Sequence, residues 1–284
     1  MTRRPDIHRI LVALDASPHS LAALQQAAEM AARLRAELIG LFVEDINLLR
    51  LAELDVAREF QLVRGNFEIT PGLPGMENQL RALATRARRA FEEAGRRSGV
   101  PHRFRIARGQ VARELIAAAA EADLLILGWA SQAPPGLPLP SPRLGATARS
   151  VARGAGRSVL LLRSGARFVR PALVVYDGTI SAARALAAAI SMTDGGHELL
   201  NILAVGDDVD EIRERQTRVR AWLRRRRIDA NIGTMRAPTP ARIAALLRQS
   251  GCLTLVVHAE SPLLSGEPGA TLLDAIECPV LIVR

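Results

Sequence analysis

Short apolar runs alternate along the chain with longer amphipathic stretches, and this alternation predicts strands and helices in turn. Runs such as 10–14 and 124–127 are apolar at every position, which is typical of parallel strands that helices cover on both faces. The predicted strands are 8–14, 37–43, 102–107, 123–127 and 158–162, then 171–176, 198–204, 228–235, 253–257 and 279–283. The predicted helices are 18–34, 76–97, 110–121 and 145–154, then 180–193, 208–226, 239–250 and 269–276. The pattern predicts an α/β fold with doubly wound parallel sheets.

The second half of this pattern repeats the first with a shrinking offset. Asp15 ends the first strand of the first half, and Asp177 is its counterpart in the second. Gly128 ends the fourth strand, and its counterpart is His258. The offset between these two residues is shorter than the offset between Asp15 and Asp177, so the second half lacks a segment after its second strand. A repeat of this length indicates two similar structural units within one chain.

The closing strands support the repeat and set the domain boundaries. Arg163 and Arg284 end matching apolar phrases, and the offset between them is shorter again, so the second half also lacks part of the loop after its fourth strand. We therefore predict two domains, at 1–165 and 168–284, each built on a five-stranded parallel sheet and each large enough to bury a core.

Two segments are peculiar to the first half: an insertion at about 44–75 and a proline-rich loop at 130–143. Apolar residues between 44 and 64 recur at helical spacing, and a turn rich in glycine and proline follows at 65–75. This pattern predicts a helix packed on the surface of its own domain. Two functional alternatives are a lid over the cleft of the first half and a docking helix.

The basic balance of the chain comes from arginine alone. The formal net charge is +9, and the sequence contains no lysine. The densest arginine run ends the predicted helix 208–226, whose first residues are acidic. Acidic residues at the start of a helix and basic residues at its end match the helix dipole, so we predict a solvated amphipathic helix. Trp222 alone interleaves with these arginines, and we do not expect a nucleic-acid partner.

Composition also bears on compartment and redox state. No run approaches the roughly 20 apolar residues that a membrane-spanning helix needs, and residues 1–6 lack the apolar core of a signal peptide. We expect a cytoplasmic protein without a membrane partner. Cys252 and Cys278 are too far apart for metal-ligand spacing and lie on apolar strand patterns, which predicts buried, reduced thiols.

Several phrases, taken in order, resemble a known family. The first strand ends in Asp15 to Ser20 and leads into a long alanine-rich helix, and the segments 109–116, 122–128 and 144–151 follow. The second half keeps this order down to its closing phrase at 277–283. These residues resemble the universal stress protein family, and the resemblance extends over almost the whole chain as a tandem pair.

The resemblance implies an architecture as well as a family. Each half is expected to have the Rossmann-like fold of the adenine-nucleotide α-hydrolases. The halves are expected to pack as an intramolecular pseudo-dimer by pairing their last strands, 158–163 and 279–284. A homodimer of whole chains and an unidentified protein partner are further expectations.

Family members that bind ATP carry a glycine motif: Gly, two residues, Gly, nine residues, Gly, then Ser or Thr. Such a loop must offer free amides to phosphates. Here the outer glycines, Gly128 and Gly145, lie farther apart than in the motif, and Ser131 replaces the middle glycine. Five prolines in the loop donate no hydrogen bond.

The resemblance still implies an ATP site, with Mg²⁺, in the first half. Asp15 is expected to contact the adenine and ribose side, and Val43 to offer its backbone to adenine. The alternative for Asp15 is structural, with Ser17 or Asp15 capping the helix that follows. Ala146 stands at the hydroxyl position, and Thr147 follows it as an imperfect substitute; Arg143 or Arg149 would support an anion at this helix start. The candidate site residues are Asp15, Ala16, Val43, Gly128, Gly145, Ala146 and Thr147.

The second half departs further from the motif, and no nucleotide is expected there. His258 replaces the first glycine, and Glu267, directly after Gly266, replaces the hydroxyl residue with a carboxylate that would repel phosphate. Asp177 is expected to be structural. His258, close to Glu260 in sequence, is interpreted as a structural histidine, with a general base as the alternative.

The resulting functional expectation is a stress-response regulatory or binding protein, not an enzyme. Within the family, the alternative is a nucleotide-free adaptor that acts through protein partners. Outside it, an ATP-hydrolysing enzyme with a P-loop is disfavoured, because Gly-x-x-x-x-Gly-Lys cannot occur in a chain without lysine.

Overall fold

The computed structural model describes residues 7–53, 73–130, 144–163, 172–192, 200–251 and 254–284. In the first half the elements are β1 (Arg9–Leu14), α1 (Pro18–Leu34), β2 (Glu37–Asp45), α2 (Ile46–Glu53), α3 (Leu73–Ser98), β3 (His102–Gly109), α4 (Val111–Ala119), β4 (Leu124–Gly128), α5 (Ala146–Gly154) and β5 (Ser158–Leu162). In the second half they are β6 (Ala172–Tyr176), α6 (Ile180–Met192), β7 (Leu200–Gly206), α7 (Val209–Arg226), β8 (Asn231–Arg236), α8 (Pro240–Ser250), β9 (Thr254–His258), a 3₁₀ turn (Pro262–Leu264), α9 (Gly266–Ala275) and β10 (Val280–Val283).

The strands form one ten-stranded sheet in the order β3-β2-β1-β4-β5-β10-β9-β6-β7-β8. The two halves have the same strand order, and neighbouring strands within each half are parallel. The halves join where β5 and β10 pair antiparallel, with Val280 opposite Leu161 and Ile282 opposite Val159. The predicted doubly wound, tandem fold is confirmed, and the two predicted five-stranded sheets are continuous with each other.

Helices cover both faces of the sheet, as the continuously apolar strands predict. Successive residues of a strand point to opposite faces, so Val12 belongs to one core and Leu11 to the other. The first core contains residues of α1, α3, α6 and α7. The second contains residues of α4, α5, α8 and α9. All strands within one half run the same way, so each half has a single carboxyl edge where its β-to-helix turns meet.

Two predicted boundaries in the insertion are wrong. Glu44 and Asp45 belong to β2, because that strand pairs with β3 as far as Asp45 opposite Gly109. Leu73 to Gly75 form the first turn of α3 and not a loop. Proline is tolerated there because a backbone N–H in the first turn would have no acceptor within the helix. The helix predicted between 44 and 64 is present as α2, which contacts α3 and buries Leu49; its remainder lies outside the described residues.

Three other expectations fall partly or wholly outside the described residues: the domain boundary near 165–168, most of the proline-rich loop at 131–143, and Cys252. Cys278 is only partly buried, because it precedes β10 and does not lie within it. β8 begins at Asn231, three residues later than predicted. The residues before it end α7: Arg227 is the C-cap in a left-handed conformation, and the Ile228 amide donates to the Leu223 carbonyl.

Candidate functional site

The turn after β1 is a tight, braced structure. Ser17 is fully buried and caps α1, since its Oγ accepts from the Ser20 amide at 3.1 Å. Asp15 does not cap the helix; its Oδ1 accepts from the Ser17 amide at 2.9 Å and so holds the turn. Between them, Ala16 has a φ of 61°, a left-handed conformation that residues other than glycine adopt at a cost.

Asp15 keeps one carboxylate oxygen available. Its side chain is partly exposed, and no donor among the described residues bonds to Oδ2. His19 lies close by: burial lowers the pKa of this imidazole, the Asp15 carboxylate opposes that shift, and Arg163 adds to it. The first half thus presents an acceptor at its carboxyl edge, with an imidazole and a guanidinium near it.

Gly128 lets the start of α1 approach the end of β4. A Cβ on Gly128 would lie 3.0 Å from the Cβ and carbonyl carbon of His19 and 3.2 Å from the Ser20 amide nitrogen. Real Cβ atoms rarely tolerate such contacts, so a larger residue would push α1 away. The glycine therefore brings the Asp15 turn against β4.

Gly145 brings the start of α5 to the same place. Its amide donates to the Trp129 carbonyl at 3.0 Å, and a Cβ here would lie 3.2 Å from the Ala130 Cα. Gly145 is the N-cap of α5, and Ala146 and Thr147 follow in the first turn, where amides have no intrahelical acceptor. The structure therefore gathers Asp15, Gly128 and the start of α5 at one edge, with the Gly145 amide already bonded.

The anion beside this helix start comes from the other half of the chain. Asp274, in α9, accepts from the Leu144 amide at 3.0 Å and from Arg149 Nη2 at 3.0 Å. Arg149 was expected to support a bound anion, and it pairs instead with this carboxylate. Arg143, the other arginine expected here, lies outside the described residues.

Val43 lies at the same edge, one strand further out. β2 runs past the last residue of β1, since Leu14 pairs with Phe42 and Val43 pairs only with Ala107 of β3. Among the described residues, no side chain donates to the Val43 carbonyl. Val43 therefore reaches the carboxyl edge beside the Asp15 turn.

The turn after β6 repeats the geometry of the turn after β1. Gly178 takes the place of Ala16, with a φ of 83°. Thr179 takes the place of Ser17: its Oγ1 accepts from the Ala182 amide at 3.0 Å, and its own amide donates to Asp177 Oδ1 at 3.1 Å. The two halves share this local structure despite different residues.

Asp177, unlike Asp15, has both carboxylate oxygens bonded. His258 Nε2 donates to Asp177 Oδ2 at 2.8 Å, and the imidazole, at 2% exposed, extends from the position that Gly128 holds in the first half. Burial on its own would raise the pKa of Asp177, but the bonds from His258 and Thr179 outweigh it and hold that pKa well below its usual range. Glu260 bonds instead to Ser181 Oγ, at 2.6 Å.

Arg215 fills the rest of this edge in the second half. Val205 is the counterpart of Val43, and its carbonyl accepts from the Arg215 guanidinium, which also pairs with Glu211. The Arg215 side chain passes within 3.0 Å of the position that a Cβ on Gly178 would take. In the second half, the places that correspond to Asp15 Oδ2 and to the Val43 carbonyl are thus both occupied by side chains of the chain itself.

Sequence reasoning did not identify four residues at these edges: Trp129, Arg163, Asp274 and Arg215. Trp129 is 1% exposed beneath the Arg163 guanidinium, whose carbon lies 4.2 Å from the indole centroid. A signal for Arg163 was present, since it and Arg284 end the matching closing phrases. Asp274 and Arg215 carried no such signal, because both lie on helices whose charged residues are typical of solvated faces.

The fold and its two edges define a tandem α/β protein. At the carboxyl edge of the first half no described donor bonds to Asp15 Oδ2, whereas the corresponding edge of the second half is filled by side chains of the chain itself. None of the helices in the described part of the chain is long and apolar enough to cross a membrane. Residues 6–59 match the model of the universal stress protein family. The chain is similar to this family over that part of its first half.

Solved structures share the tandem fold over the full length. A universal stress protein from Archaeoglobus fulgidus DSM 4304 has a TM-score of 0.70 at 18% identity, over 100% of this chain and 99% of that one. A functionally unknown protein from Pseudomonas aeruginosa PAO1 has a TM-score of 0.58 at 18% identity, over 99% of this chain and 93% of that one. No curated protein matches the chain.

Proposed function

We propose that this protein is a regulatory binding protein that takes one adenine nucleotide, in its first half. The contrast between Asp15 and Asp177 carries the proposal. Asp15 offers Oδ2 at the carboxyl edge, whereas Asp177 holds His258 with the corresponding oxygen. A ribose hydroxyl needs an acceptor of this kind, and a carboxylate gives a stronger hydrogen bond than a neutral oxygen.

The adenosine side of the proposed site fits the residues present. The Val43 backbone reaches the edge beside Asp15, and its carbonyl has the chemistry to accept from an exocyclic amine. Arg215 fills the corresponding place on Val205. Its guanidinium is a planar group with N–H donors, as is the amine of adenine. This likeness supports the proposal that the adenine amine binds at the Val43 carbonyl in the first half.

The phosphate side fits less completely. The first turn of α5 supplies the amides of Ala146 and Thr147, and a helix N-terminus favours anions. The Gly145 amide, however, donates to Trp129, and Arg149 pairs with Asp274. We therefore propose that the adenosine contacts dominate the affinity, and that ATP, ADP and AMP bind within about tenfold of one another.

Magnesium would enter with the nucleotide phosphates. Within the described ranges, no group of three or more His, Cys, Asp or Glu residues is placed to hold a metal ion. We propose binding without hydrolysis, because the sequence has no lysine to complete a P-loop. A cytoplasmic location and a homodimer of whole chains stay predictions.

A nucleotide-free adaptor is the second candidate. It is favoured by the two bonds that already occupy the phosphate side, Gly145 to Trp129 and Arg149 to Asp274. In this alternative the edge of the first half would be closed in use, and partners would bind elsewhere on the surface.

Calorimetric titration distinguishes the two candidates. Protein shown by denaturing extraction to carry no nucleotide is titrated with ATP and Mg²⁺, then with ADP and AMP. Asp15→Asn keeps the Oδ1 acceptor for the turn but replaces Oδ2 with a donor, so affinity should fall by about tenfold or more. Asp177→Asn makes the same change in the filled half and should leave the affinity unchanged. No heat from empty protein would reject the nucleotide proposal and leave the adaptor.

A further inference from the structure

The last two turns of α7 carry an unbalanced positive charge. Earlier in the helix each arginine has a carboxylate partner on the same helix; the pairs are Arg213 with Asp210, Arg215 with Glu211, and Arg218 with Glu214. Five exposed arginines follow, and none forms an ion pair with the residues described; they are Arg220, Arg224, Arg225, Arg226 and Arg227. Asp229 is the one acidic residue in the segment 220–230, which therefore carries five positive charges and one negative charge.

The helix dipole accounts for part of this charge only. Cations near a helix C-terminus are stabilising, but the effect falls off within the last turn. Arg220 lies nearly two turns before the helix end at Arg226, and arginines packed side by side repel one another. The cluster therefore costs stability unless another molecule supplies negative charge.

A pocket opens beside these arginines, between the end of α7 and the start of β8. Its volume is about 190 Å³. Leu223, Ile228, Ala230 and Ile232 give it an apolar lining, and the exposed Arg220, Arg224 and Asp229 complete it. A cavity of roughly 150 Å³ holds a benzene ring, so one apolar side chain can enter this pocket.

We propose that this surface docks an acidic polypeptide segment of a partner protein, with one apolar side chain in the pocket. The arginines would pair with carboxylates on both sides of that anchor, and Asp229 would accept a backbone N–H of the segment. This combination of an apolar pocket and surrounding charge is typical of peptide recognition, where the anchor supplies affinity and the charges supply selectivity.

Two other occupants fit the surface less well. A nucleic acid would need exposed aromatic faces for base stacking, and Arg226 covers the Trp222 ring, with its guanidinium carbon 4.0 Å from the ring centroid. A second copy of this chain could offer the acidic start of α7, but Asp210, Glu211 and Glu214 are already paired within their own helix. An acidic polypeptide with an apolar anchor supplies both the carboxylates that the arginines lack and the side chain that the pocket can hold.

The docking surface is separate from the proposed nucleotide site. α7 ends and β8 begins at the amino edge of the sheet, whereas the Asp15 turn lies at the carboxyl edge of the other half. Failure of nucleotide binding would therefore not affect this inference.

Fluorescence anisotropy tests the inference with three labelled probes: a short peptide of glutamates with one central phenylalanine, the same peptide with serine at the centre, and an oligothymidylate of equal charge. We expect the phenylalanine peptide to bind at least about tenfold more tightly than the other two. Equal binding of the serine peptide or of the oligothymidylate would overturn the proposal, as would no binding of any probe.

Matched charge reversals distinguish binding at the pocket from non-specific electrostatic attraction to the arginines. Arg220→Glu with Arg224→Glu should weaken the phenylalanine peptide by more than about tenfold, whereas Arg225→Glu with Arg227→Glu, an equal charge change outside the pocket lining, should weaken it by about threefold. Equal losses would overturn the proposal. Ala230→Leu fills the pocket without changing charge and should also reduce binding about tenfold, which keeps the test valid if a charge reversal unfolds α7; unchanged binding by Ala230→Leu would count against the proposal.

Discussion

Arg163 and Arg284 each bind the end of a helix in the opposite half of the protein. Arg163 Nη2 donates to the Ile276 carbonyl, which follows α9, at 2.9 Å. Arg284 Nη2 donates to the Ala152 carbonyl near the end of α5 at 2.6 Å. Burial lowers the pKa of both guanidinium groups, and for Arg163 the nearby Glu277 opposes that shift. The two arginines are sequence counterparts, so the exchange follows the pseudo-twofold symmetry of the halves.

Removal of the Arg284 side chain should destabilise the protein. Arg284→Ala leaves carbonyls at the end of α5 without their charged donor, so we expect a loss of about 1.5–3 kcal/mol in the free energy of unfolding. Denaturant unfolding measures it. Arg248→Ala, at the exposed end of α8, is the control and should change stability by less than about 0.5 kcal/mol. Equal effects of the two substitutions would show that the contact across the halves contributes nothing.

Ala16→Gly should stabilise the protein. The left-handed conformation of Ala16 costs an L-residue about 1–2 kcal/mol, and glycine removes this cost at the expense of some chain entropy. We expect a net gain of about 0.5–1 kcal/mol in denaturant unfolding. Ala13→Gly makes the same change within β1 and should destabilise by about 0.5–1 kcal/mol. A loss of stability in both variants would mean that the Ala16 turn is unstrained.

Gly128→Ala should disturb the candidate site as well as stability. The new Cβ would lie 3.0 Å from His19, and relief of such a contact typically costs about 1–3 kcal/mol. We expect nucleotide affinity to fall together with stability, because the start of α1 carries the Asp15 turn. Gly156→Ala is the matched control: a Cβ there meets nothing within 4 Å, and calorimetry and unfolding should both be unchanged.

The bond between Asp177 and His258 should make stability depend on acid pH. The pKa of Asp177 is lower in the folded protein than the value of about 3.9 for an unfolded aspartate. Its stabilising contribution is therefore complete above that unfolded pKa and is lost as the pH falls toward the folded pKa. Between about pH 5 and pH 2, the wild type should lose more free energy of unfolding than Asp177→Asn.

Asp229→Asn serves as the control for this titration, because Asp229 is exposed and no described donor bonds to its side chain. Its pH profile should follow that of the wild type. Parallel profiles for Asp177→Asn and the wild type would contradict the assignment of this acid-dependent stability to the buried pair.

Local pattern was sufficient to predict most of the fold. The apolar runs of β1 and β4 and the turn residues after them are determined by neighbours in sequence, and the structure has these elements within a few residues of the prediction. The pairing of β5 with β10 followed from family resemblance, not from pattern, because nothing local marks a strand that will pair across domains. The prediction of a turn at 73–75 was wrong, because proline and glycine are compatible both with a loop and with a first helical turn.

The site was less predictable because its contacts are distant in sequence. His258 and Asp177 are separated by 81 positions, and Asp274 and Leu144 by 130. Arg215 was predicted to be a solvated helix residue, which is the ordinary outcome for an arginine within a charged helix. It points inward here because two glycines, Gly178 and Gly206, leave room for its side chain. Such complementarity becomes visible only when both elements are in place.

The continuous ladder between β5 and β10 has a consequence for how the protein responds to dilution. In a two-subunit assembly, each subunit loses its neighbour as concentration falls, and stability falls with it. Here the neighbour is encoded in the same chain, and the join is made by main-chain hydrogen bonds in the middle of the sheet. The filled half thus serves as a permanent subunit for the other, at a fixed ratio and at any abundance in the cell.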